Sequence, residues 1–132
     1  MKRCDFRVTV CGEPWEITVF LPVTGYHVVV ILRELLSIGV NKENYADARE
    51  NLMSGRVNNG LTFSSIRHRR TVSVWGRATS AQEWFNLIVH ELHHLSVQIG
   101  DMNGLDLAGE DVAYLNGDIA GFLYSFCRPM LL

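Results

Sequence analysis

Apolar and polar residues alternate through Phe6-Arg7-Val8-Thr9-Val10 and again through Trp15-Glu16-Ile17-Thr18-Val19-Phe20, the period-2 pattern of half-buried strands. Gly12-Glu13-Pro14 between the two runs predicts a hairpin, which Pro22 and Gly25 end. From Tyr26 to Ile38 the period lengthens: Val29, Ile31, Leu32, Leu35 and Leu36 stand at helical spacings, and Gly39 closes the helix. Asn41 is placed to cap a second, more polar helix through Met53, with Gly55 as its terminator. Gly60 to Ile66 and Thr71 to Gly76 read as a second strand pair, joined by the basic turn Arg67-His68-Arg69-Arg70.

Ser80 followed by Glu83 is a capping-box pattern, and Trp84, Phe85, Leu87, Ile88, Val89, Leu92 and Leu95 continue it as an amphipathic helix that Gly100 stops. After a loop from Asp101 to Ala108, a last helix is expected from about Gly109 to Phe126, with Pro129 beyond its end. Gly109, Ala113, Gly117 and Gly121 recur along it at every fourth residue, a stripe that would let another helix approach closely. No repeat or linker interrupts the pattern. The expectation is one α+β domain over residues 1–132, about four strands in a small sheet packed with about four helices.

Composition narrows the partners. With 132 residues and a net charge of −2, the chain lacks the basic excess of a protein that holds nucleic acid by phosphate attraction, and the basic turn reads as a solvated one. The longest wholly apolar run, Val28 to Leu32, is far short of the roughly 20 residues that cross a bilayer. The start, Met1-Lys2-Arg3-Cys4-Asp5, has no apolar signal segment behind its charges, and Cys4, Cys11 and Cys127 are odd in number with no CxxC spacing. Reduced thiols in a cytoplasmic chain, with no membrane partner, are the expectation.

The chemistry lies in His90-Glu91-Leu92-His93-His94, an HExxH motif. At about 100° per residue, His90 and His94 stand about 40° apart and one turn apart, so two imidazoles can reach one ion, while Glu91 at the edge of that face can reach a water. A catalytic zinc needs a third protein ligand and an open position. Gly100 stands where the metzincin pattern requires a third histidine, which leaves a downstream carboxylate, Glu110 or the shorter Asp111. Tyr114, one turn beyond Glu110, is placed either to donate to a developing oxyanion or to serve as a core aromatic. His93 flanks the ligand face, and Trp75 and Trp84 read as core.

In these residues the chain resembles the gluzincin branch of the zincin-like metallopeptidases, and most of all the very small single-domain zincins of phages and mobile elements. The resemblance covers about Arg77 to Leu123 and rests on HExxH plus an acidic pair followed shortly by Ala and an aromatic. It implies a minimal zincin-like fold with Zn2+ held between the last two helices by His90, His94 and Glu110, and Glu91 as general base on the zinc-bound water. Larger gluzincins often carry an acid four residues after the ligand Glu. Tyr114 stands there instead, leaving Asp118 or Asp111 to orient a ligand histidine. The implied function is zinc-dependent hydrolysis of a peptide bond, with a polypeptide substrate paired along the strand Thr71 to Gly76. Two other classes fit the same residues: a non-catalytic module whose metal serves folding, and a metal-free interaction domain.

Overall fold

The computed structural model describes residues 2–21, 28–54 and 60–132. The expected hairpin forms from β1 (Lys2–Val10) and β2 (Glu13–Leu21), antiparallel with Cys4 opposite Val19 and Val8 opposite Trp15. Its two-residue turn is Cys11-Gly12, both left-handed at φ 52° and 79°, so Glu13 and Pro14 already belong to the second strand. A turn with positive φ at both central residues matches the right-handed twist of the strands it joins. Pro22 and Gly25, read as the hairpin's end, lie outside the described residues, as do the first two residues of the next expected helix and its successor's terminator Gly55.

Helix α1 (Val28–Ser37) closes as expected at Gly39, whose φ of 82° lets the amides of Gly39 and Val40 bond back to the Leu36 and Leu35 carbonyls. Helix α2 (Lys42–Met53) is capped by Asn41, whose side chain accepts from the Asn44 amide at 2.7 Å. Strands β3 (Leu61–Ser65) and β4 (Arg70–Val74) pair antiparallel, and β4 runs parallel to β2. The sheet order is therefore β1-β2-β4-β3. This corrects the expectation of a substrate strand at Thr71 to Gly76: Thr71 to Val74 of that segment belong to an interior strand, paired on both sides.

The chain is α+β, with four strands and four helices among the described residues. Alternation splits the sheet's side chains between two layers. Phe20, Val72 and Val74 face α1 and α2 with Ile31, Leu35 and Leu52, whereas Trp15, Ile17, Val19 and Leu21 face the last two helices. The basic turn is less solvated than expected. Arg69 donates to the carbonyls of Val10, Glu13 and Pro14 and lies over the Trp15 ring, tying one hairpin turn to the other, while Arg70 pairs with Glu34 on α1.

Helix α3 (Ala81–Met102) starts at Ser80, which accepts from the Glu83 amide at 3.1 Å, while Glu83 accepts from the amide and hydroxyl of Thr79. It passes through Gly100 instead of stopping there. Gly100 is buried where a Cβ would come 2.9 Å from Val112 Cγ2, and the stop falls at Asn103 and the left-handed Gly104. Helix α4 (Glu110–Leu131) includes Pro129 in its last turn, because Phe126, Met130 and Leu131 pack on the core and carry the helix past its expected end. Val112 of α4 lies against Gly100 of α3, and Leu115, Ile119, Leu123 and Cys127 enter the core that both helices share with the sheet. The later half of the small-residue stripe makes no helix contact: a Cβ on Gly117 or Gly121 meets open space. Among the described residues, no helix is long and apolar enough to cross a membrane.

Candidate metal centre

The middle of α3 brings His90 and His94 to the surface and buries Glu91 beside them. Their Nε2 atoms lie 3.1 Å apart, with the rings edge to face at 4.7 Å between centroids. Two nitrogens bound to one tetrahedral zinc at about 2.0–2.1 Å stand roughly 3.3 Å from each other, so the pair fits two adjacent ligand positions. Glu91 is 5% exposed. Burial pushes its carboxyl up, against the opposing pull of His90 and His94.

The backbone just ahead of β3 covers that carboxyl. A Cβ on Gly60 would stand 2.9 Å from Glu91 Cδ and closer still to Oε1, so glycine is the residue that permits this approach. Two hollows meet at the site. One, of about 840 Å³, is bordered by Arg77, Asn86, His90, Glu91 and His94; the other, of about 470 Å³, by Gly60, Thr62, Glu91, His94 and Asp101.

The remaining expected residues stand elsewhere. Glu110 is the exposed first residue of α4 and borders neither hollow. Asp111, Tyr114 and Asp118 share a separate hollow with Thr9, Val10 and Cys11 at the tip of the first hairpin, and Tyr114 is 69% exposed. The reason is rotational: α4 turns residues 112, 115, 119 and 123 inward, which leaves 111, 114 and 118 along the flank beside the hairpin turn. His93 lies in a groove between α3 and α4 with Ala113 and Asn116. Among the described residues, no three His, Cys, Asp or Glu side chains come together as a set that could hold a metal ion. The structure thus joins His90, Glu91 and His94, and sets Glu110 and Tyr114 apart from them.

Sequence reading missed the polar layer that carries the site. On the α3 side of β3 and β4 stand hydroxyls: Thr62 opposite Ser73 at 2.7 Å, and Ser64 opposite Thr71 at 2.6 Å. Trp75 and Trp15 donate their indole N–H groups to Ser73 and Thr71 at 2.8 and 2.9 Å. Gln98, one turn beyond His94, accepts from Ser64 at 2.6 Å and donates to the Thr62 carbonyl at 3.2 Å. The signal was present in two Thr-x-Ser steps, Thr62-Phe63-Ser64 and Thr71-Val72-Ser73, whose small polar groups alternate with apolar ones. Comparison with protein-family models, curated proteins and solved structures finds no match to this chain.

Proposed function

We propose that this chain is a metal-dependent hydrolase of peptide bonds, with His90 and His94 as ligands of a divalent cation, zinc by donor type, and Glu91 as the base. The single observation that carries this reading is the 3.1 Å separation of the two Nε2 atoms directly beside a buried carboxyl. A zinc ion so held supplies Lewis acidity, polarising a carbonyl and making water a stronger acid. Glu91, kept basic by its burial, takes the proton of the attacking water as the new C–O bond forms. It then delivers that proton to the amine as the C–N bond breaks.

Glu110 remains the third ligand that the resemblance implies, and it joins the pair only by moving from its present position. The substrate strand is reassigned. With β4 interior, β3 is the outer strand of the described sheet, beside the second hollow, and an extended polypeptide would lie along it. A closed structural site needs four protein ligands. Two imidazoles converge among the described residues, one short of the three protein ligands of a catalytic zinc and two short of a closed structural site.

The test is elemental analysis together with cleavage of a fluorescently labelled casein. About one zinc per chain, lost in His90→Ala, and hydrolysis lost in Glu91→Gln with metal retained, are expected. A chain that takes up no zinc, or a Glu91→Gln variant with unchanged turnover, would overturn the reading. Glu110→Gln reports separately on the third ligand, since a true ligand lowers zinc affinity when removed.

A further inference from the structure

We propose that Gln98 and Gly60 are positioning residues for the Glu91 carboxyl: Gln98 clamps the edge strand across α3, and the clamp seats the Gly60 backbone over the carboxyl. The functional weight of this inference rests on the reading of Glu91 as the proton carrier, whereas the clamp itself stands on geometry alone.

The hydrogen-bond chain has a single direction. Trp15 can only donate, so Thr71 accepts from it. Ser64 gives its one hydroxyl proton to Gln98 Oε1, so the contact between Ser64 and Thr71 must be Thr71 donating. Gln98 then uses its amide group on the Thr62 carbonyl. Each link from the sheet core to the edge strand therefore has one donor and one acceptor, and position 98 needs a side chain that both accepts and donates. A carboxylate there would accept from Ser64 but turn a second oxygen against the Thr62 carbonyl. Methionine would satisfy neither partner.

Gln98 lies two turns beyond Glu91 and only about 20° around the helix from it, so the clamp and the carboxyl share one face of α3. Thr62 is two residues beyond Gly60, about 7 Å along an extended chain, and pinning its carbonyl limits where Gly60 can sit. Gly60 completes the contact because a side chain at that position would occupy the space of the Glu91 carboxyl. On that side the carboxyl meets backbone, while His90 and His94 lie toward the open cleft. The base is thereby held from two directions, by its own helix and by a strand end fastened to that helix.

The test uses the whole chain without any ligand. Incorporating glutamate labelled with 13C at the side-chain carboxyl gives one resonance per Glu, and Glu91→Gln assigns that of Glu91. In Gln98→Met and in Gly60→Ala, the Glu91 resonance is expected to move beyond its linewidth while those of Glu13 and Glu43 keep their positions. Shortening the base in Gly60→Ala/Glu91→Asp should recover part of the urea midpoint that Gly60→Ala loses. A glutamine that merely stitched β3 to α3 would lower the midpoint and leave the Glu91 signal in place, and a folded Gln98→Met variant behaving so overturns the proposal. If neither single variant folds, the wild-type chain decides: a nuclear Overhauser contact between Gly60 Hα and Glu91 Hγ, with a slowly exchanging Gln98 side-chain amide, is expected, and their absence overturns it. Failure to take up zinc would refute the hydrolase reading and leave these outcomes unaffected.

Discussion

His90 and His94 turn their Nε2 atoms toward each other across one turn of α3, 3.1 Å apart at the open side of a cleft. Nitrogens so placed accept a divalent ion with little rearrangement. Zinc should therefore bind the folded chain and raise its stability by about 2.7 kcal/mol when present at a hundredfold excess over its Kd. A thermal melt with and without zinc measures this directly. His94→Ala should abolish the rise while leaving the metal-free melt nearly unchanged, because the side chain is exposed.

Glu91 is the one carboxylate that α3 buries, and burial pushes its carboxyl up although two histidines stand close. A residue kept for reactivity at a desolvated position is expected to cost stability. In the metal-free chain at pH 7, Glu91→Gln should then unfold at a higher urea concentration than the wild type, while peptide hydrolysis falls by at least two orders of magnitude. A variant that loses both stability and activity would assign Glu91 a structural role.

The helix that holds this motif was readable because its signals are local. A cap at Ser80, apolar residues at helical spacing and the one-turn separation of His90 from His94 all act within a few residues of each other. The strand order was not readable. Thr71-Val72-Ser73-Val74 has the same alternation whether its outer neighbour is water or β3, and only non-local pairing decides. Gln98 looked like any polar residue on a helix, since its partners, Ser64 and the Thr62 carbonyl, lie more than 30 residues away. The glycines of α4 misled for the opposite reason: their spacing is that of a packing stripe, but Val112, Leu115 and Ile119 present more area to bury and so take the inward face.

On the other face of the sheet, Glu34 of α1 accepts from Arg3 at 2.7 Å and from Arg70 at 2.5 Å, and Asp5 accepts from Arg3 and Thr18. Burial alone would raise both carboxyls. Hydrogen bonds and the charges of Arg3 and Arg70 outweigh it and hold them below their ordinary range. Carboxyls that ionise more readily in the folded chain stabilise it above their unfolded pKa, and that contribution fades as the pH falls below about 4. Urea midpoints measured from pH 7 down to pH 2 should drop across this window. Glu34→Gln should flatten the drop and cost about 1 kcal/mol or less at pH 7, because the cluster is partly exposed.

Two helical glycines of equal propensity should respond to alanine with opposite signs. At Gly117 an added Cβ meets nothing within 4 Å, so Gly117→Ala gains only the helix preference of alanine, about 0.5–1 kcal/mol of added stability. At Gly100 the same methyl would press on Val112 Cγ2 at 2.9 Å, where α3 faces the first turn of α4 and both residues are buried. Overpacking of that kind costs typically 1–3 kcal/mol, enough to outweigh the helical gain. Gly100→Ala should therefore lower the urea midpoint, and adding Val112→Ala should return part of the loss by removing the opposing methyl groups. If Gly100→Ala stabilised the chain as Gly117→Ala does, the close packing of α3 against the first turn of α4 would be wrong. The placement of Glu110 away from His90 and His94 would fall with it, since that placement depends on the same turn.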